Sequence, residues 1–119
     1  MDIINDLVDY LRNLGYTVER DNNFLMILHG SLPLYLRVEF RGNLVYMCIN
    51  YKDNIREALE DLKDSGEDVE EVVEDAISYL SIASLKIRQW IEDKGFIPVF
   101  KLRNGSLKVY EILEDVLEE

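Results

Sequence analysis

The chain has 119 residues, 13 Lys and Arg against 24 Asp and Glu, a net charge of −11, one His and one Cys. The length fits one domain, and 48% hydrophobic residues with 10% aromatics supply a core, which excludes a disordered acidic tail. One cysteine excludes an internal disulfide framework and a multi-cysteine zinc site, and the acidic balance argues against nucleic acid, whose phosphates call for excess Lys and Arg.

The first predicted element is a helix. Ile3, Ile4, Leu7, Val8, Leu11 and Leu14 recur at i, i+3/i+4, i+7 and share one face. Asp2 sits where the helix dipole favours acid, and Gly15 offers the left-handed stop. Tyr16 to Arg20 alternates as a strand, Asp21-Asn22-Asn23 is turn chemistry, and Phe24 to Leu28 is an apolar run of strand length. Leu34 to Arg41 alternates strictly, with Leu34, Leu36, Val38 and Phe40 on one face and Tyr35, Arg37, Glu39 and Arg41 on the other. Gly42-Asn43 is a two-residue loop with Gly first, as a type II′ turn prefers, and Leu44 to Tyr51 returns. Residues 16–51 therefore read as a three- to four-stranded antiparallel meander.

Helices follow. Asp53 or Asn54 opens one carrying Ile55, Ala58, Leu59 and Leu62, which Ser65-Gly66 ends. A long helix from about Asp68 to Asp93 carries Val69, Val73, Ala76, Leu80, Ala83, Ile87 and Trp90 at alternating steps of four and three, a heptad-like seam. Val72, Ile77, Leu85 and Ile91 form a second stripe. Lys94-Gly95 stops it. Phe96 to Arg103 and Ser106 to Tyr110 then read as a hairpin about an Asn104-Gly105 type I′ turn, and Glu111 to Glu119 as a short amphipathic helix. Strands grouped as hairpins with helices grouped after them give a single α+β domain, 1–119: N-terminal helix, meander, long helix packed on the sheet, C-terminal hairpin and short helix.

No apolar run reaches the roughly 20 residues of a membrane span, and the Met1–Asn5 start has no basic region of a signal peptide. The expectation is a cytoplasmic protein with no membrane partner. One Gln, one Thr and many charges suggest a thermophile, although eight Asn pull the other way.

Chemistry-bearing patterns are sparse. His29 ends an apolar run and reads as a strand-end or loop histidine; a Cys48–His29 dyad is the sharper alternative. Strand parity groups Cys48 with Leu44, Tyr46 and Asn50, opposite Val45, Met47 and Ile49. Asp21 and Glu39 faintly resemble the carboxylates of a metal-dependent nuclease core, but Arg41 stands where that chemistry wants Lys. The ordinary reading of Glu39 is a solvent-facing partner of Arg37 and Arg41. No metal or other cofactor is expected.

The charge is uneven: residues 52–75 carry three basic and eleven acidic groups, so −8. Asp61, Asp64, Glu67, Asp68, Glu70, Glu71, Glu74 and Asp75 bracket Ser65-Gly66, but a calcium loop counted from Asp61 fails, with Lys63 at three and Val72 at twelve. A solvated helix corner is the plain reading and a docking surface for a basic partner the other. Residues 86–108 hold Lys86, Arg88, Lys94, Lys101, Arg103 and Lys108 against Glu92 and Asp93, so +4, the one zone suited to nucleic acid.

This order of helix, meander, long helix, hairpin and short helix resembles the type III secretion chaperone-like group, including the YbjN-like proteins. The resemblance rests on element order and charge and implies a non-enzymatic, often dimeric binding domain; no family site residue carries over. The residues together point to a protein-binding or chaperone-like domain, self-associating as a homodimer or binding another protein. Its candidate contacts are Leu80, Ile87 and Trp90 on the long-helix seam and Tyr35, Tyr46 and Tyr51 on strand surfaces. The alternatives are a metal-dependent nuclease-like enzyme using Asp21 and Glu39, and nucleic-acid binding through the 86–108 zone.

Overall fold

Helix α1 (Ile3–Asn13) starts at Asp2, whose carboxylate accepts the Ile4 and Asn5 backbone N–H groups at 2.9 and 3.4 Å. The computed structural model that shows this describes residues 2–119. Four antiparallel strands follow: β1 (Thr17–Asp21), β2 (Phe24–Leu28), β3 (Leu34–Arg41) and β4 (Leu44–Tyr51). At the β3–β4 turn Gly42 has φ +59, while Asn43 is not left-handed, the φ pattern of a type II′ turn.

Helices α2 (Ile55–Asp64) and α3 (Val69–Asp93) then cross over to β5 (Ile97–Phe100), and α4 (Leu102–Glu118) ends the described chain. The sheet order is β1-β2-β3-β4-β5, with β5 parallel to β4. The domain is α+β as expected, but its sheet is five-stranded and mixed. The crossover is what allows a parallel strand, since a hairpin can only return antiparallel.

Periodicity places the core. On β3 Leu34, Leu36, Val38 and Phe40 are buried, and on β4 Val45, Met47 and Ile49. They form one cluster with Leu7 and Leu11 of α1, Leu59 of α2, Leu80 and Ile87 of α3, and Val109 and Leu113 of α4. None of the strand residues of opposite parity is buried. The helices thus share one face of the sheet, and among the described residues the other face carries no layer.

The expected C-terminal hairpin is not formed. Asn104-Gly105 lies inside α4, and the strand before it is only Ile97–Phe100. The N–H groups of Ile97 and Lys101 donate to Asn43 and Met47 of β4 at 2.8 and 2.7 Å. Alternation turns Pro98 to the free edge, where its missing N–H costs no ladder bond. Beyond Met47, α4 takes the place of a strand. A Cβ on Gly105 would stand 1.8 Å from the Ile49 carbonyl oxygen. Gly105 is there to let a helix touch the β4 backbone, not to make a turn.

At the far end, Lys63 of α2 donates to the Val116 and Glu119 carbonyls at 2.9 and 3.0 Å, a cation at the end of α4 where the dipole favours it. Arg56 of α2 bridges Glu119 and Asp115 at 2.8 and 3.3 Å. These contacts join elements about 60 residues apart in sequence, a separation that side-chain spacing alone does not reveal.

Replacing Gly105 by Ala tests this packing. In an open helix the change stabilises by up to about 1 kcal/mol. Here the clash is with backbone, and denaturant unfolding is expected to show a loss of about 1–3 kcal/mol; a gain in stability contradicts the close approach.

Candidate functional site

The uncovered sheet face carries the side chains that the fold leaves without a layer. Cross-strand register sets it out in rows. Asp21, Phe24, Glu39, Tyr46 and Val99 form one row; Glu19, Met26, Arg37 and Cys48 form the next. Thr17, Leu28, Tyr35 and Asn50 lie beyond the second, and Arg41, Leu44 and Ile97 beyond the first.

Glu39 on the central strand is its electrostatic centre. Its Oε1 accepts from Arg37 Nη2 at 3.2 Å and its Oε2 from Arg41 Nε. The Glu39 side chain is 14% exposed, against 36% for Arg37 and 61% for Arg41. Each guanidinium also lies on an aromatic ring: Arg37 over Phe24 at 4.6 Å from the centroid, Arg41 over Tyr46 at 4.7 Å. Planar guanidinium suits this double use, pairing at its edge and stacking on its face. The result is a belt of charge laid over apolar rings. Burial pushes the Cys48 thiol above its ordinary value, Arg37 opposing and Glu39 adding to the shift.

The expected contact residues divide. Leu80 and Ile87 are wholly buried under the chain's own elements. Trp90 is half-buried, stacked on Tyr10 of α1 at 6.1 Å, with the Lys94 ammonium 5.2 Å from its ring. Tyr51 pairs with the buried Leu34 and packs against the core. Tyr35 and Tyr46 lie on the open face. Phe24, Met26 and Leu28 join them there: in sequence Phe24–Leu28 is a continuous apolar run, whereas only Leu25 and Ile27 are buried. The even parity of that run was the available signal.

The same register places the residues of the chemical alternatives. Phe24 separates Asp21 from Glu39, two strand spacings or roughly 10 Å across the sheet, and both Glu39 oxygens are engaged by arginine. Among the described residues, no group of three or more His, Cys, Asp and Glu is arranged to hold a metal ion. Cys48 is on the open face, whereas His29 lies edge-on to Tyr79 of α3 on the helical side. The basic residues 86–108 spread over α3, its end and α4, with Arg88 paired to Glu92 at 2.6 Å. Asp68, Glu70, Glu71, Glu74 and Asp75 line an open recess, where Asp68 caps α3 through the Glu71 N–H at 3.2 Å. Among the described residues, no helix is long and apolar enough to cross a membrane.

Two outcomes are expected. Leu80→Ala should cost about 2–5 kcal/mol on denaturant unfolding, the range for a core cavity, without changing solution mass. His29 Nδ1 accepts the Ser31 and Leu32 N–H groups at 3.2 and 3.0 Å, and burial lowers its pKa from 6.5. Only the unprotonated nitrogen accepts, so its stabilisation is present above 6.5 and lost as pH falls through the folded value. Wild type should therefore lose more stability than His29→Asn, which keeps an acceptor that does not titrate, on going from about pH 7.5 to about pH 5.5; equal losses contradict the assignment. No protein-family model matches the chain, and no curated protein or solved structure matches it either.

Proposed function

We propose that the chain is a non-enzymatic, self-associating protein-binding domain whose contact surface is the open face of the sheet. The observation that carries this reading is the one-sided sheet. Half of its side chains are left without a protein layer, and these include Phe24, Met26, Leu28, Tyr35, Leu44, Tyr46, Ile97 and Val99. Apolar residues on β2 and on β4 and β5 flank the charged central strand, a mixed surface of the kind that interfaces use. Aromatic residues and arginine, the types enriched at interfaces, hold its middle. The Arg37–Glu39–Arg41 belt gives orientation and covers the rings with charge that water tolerates.

Light scattering tests the reading. Wild type is expected near twice its 13.9 kDa chain mass. Phe24→Asp combined with Tyr46→Asp should return the single-chain mass in a still-folded protein. Leu85→Asp, on the outer side of α3 where the residue is 52% exposed, should leave the mass unchanged. A wild type of single-chain mass at every concentration overturns self-association, and a dimer indifferent to the Phe24/Tyr46 pair overturns the choice of face.

A further inference from the structure

The open face has a charge pattern that fits a second copy of itself in one orientation. Resting on the self-association just proposed, we infer that two sheets stack face to face about a two-fold axis. This axis runs across the strands, between the Arg37 row and the Glu39 row, so that β3 lies antiparallel over its partner's β3.

The register dictates what meets. Turning the grid about that axis exchanges the two central rows. Arg37 then faces the partner's Glu39 and Glu39 the partner's Arg37, one favourable pair repeated by symmetry. Met26 meets the partner's Phe24, Cys48 the partner's Tyr46, and Tyr35 the partner's Arg41. These contacts are apolar, cation on aromatic, or opposite in charge, and Asn50 over the partner's Leu44 is the one polar-on-apolar contact. Glu19 over the partner's Asp21 is the one like-charged contact, at the rim on the exposed edge strand β1, where solvent screens it. The other in-plane two-fold, parallel to β3, stacks Arg37 on Arg37 and Glu39 on Glu39. Like charges face to face disfavour it.

The sheet geometry permits this stacking. Stacked sheets lie about 10 Å apart and stay aligned within about 30°. A rotation of that kind leaves the central pairs in register and splays only the corners. The paired residues of the sheet span roughly 500 Å² in plan, from strand spacing and rise. About this axis β3 and β4 overlap the partner's β3 and β4 almost fully, β1 and β2 over two rows, and β5 meets no partner strand, so two faces together cover roughly 700 Å², the size of a weak or transient contact. The free edge of β5 has no such extent, being four residues long with Pro98 facing outward.

The test is a charge exchange read by mass. Arg37→Glu makes the belt's first two positions acidic, and Glu39→Arg makes them basic. Each variant alone is expected to dimerise at least roughly tenfold more weakly than wild type. Mixed in equal amounts they should form a heterodimer of about twice the chain mass, because positions 37 and 39 then meet opposite charge in both halves. Circular dichroism on each variant checks folding; both changes lie on the uncovered face. If the single changes weaken nothing, or the mixture does not recover the dimer while wild type is dimeric, the orientation is wrong. The choice of face then still rests on the Phe24/Tyr46 result. A monomeric wild type overturns both.

Discussion

The structure depends on one constraint: a five-stranded sheet is buried on one side only. Period-two alternation on β3 and β4 sends Leu36, Val38, Val45 and Met47 into a common core, where α3 lies along the sheet. The seam of α3 is consumed there. Val73, Ala76, Leu80, Ala83 and Ile87 are wholly buried, so a stripe with coiled-coil spacing works as the internal spine of a single chain. Small residues at Ala76 and Ala83 let the helix lie close, while Leu80 and Ile87 fill the space between.

Burying one face exposes the problem of the other. A sheet that ended in water would favour polar residues at every outward position, yet here rings and aliphatic chains alternate with charge. The Arg–Glu–Arg belt resolves this locally. Glu39 holds two guanidinium groups in place, and each guanidinium shields an aromatic ring. The face thus carries guanidinium charge and aromatic surface side by side. Arginine suits such a surface because it is weakly hydrated and keeps its hydrogen-bonding edge when its plane is stacked.

The lower half of the molecule is fixed differently. There β4 has no strand on its β5 side beyond Met47, and α4 closes the gap by resting Gly105 on the Ile49 carbonyl. Lys63 and Arg56 then tie the end of α4 to α2. A helix covering part of a sheet edge removes the unpaired backbone that would otherwise invite further strands.

The sequence by itself determined the elements whose periodicity is local. The α1 stripe, the strict alternation of Leu34–Arg41, the Gly42-Asn43 turn and the α3 seam were all legible, because each depends on neighbours within one turn or one pleat. The candidate site was legible in part: Tyr35, Tyr46 and the Arg37–Glu39–Arg41 grouping followed from parity. Leu80 and Ile87 did not belong to it, since periodicity shows that a face is apolar and not what covers it. Only tertiary structure decided that Asn104-Gly105 sits in a helix, because the same glycine that permits a turn also permits a close approach, and the Ile49 carbonyl that selects between them lies more than 50 residues away. It alone decided that β5 runs parallel, because strand direction is set by the α2–α3 crossover and not by the four residues of the strand. And it alone left Phe24, Met26 and Leu28 uncovered, because all four helices went to the other side.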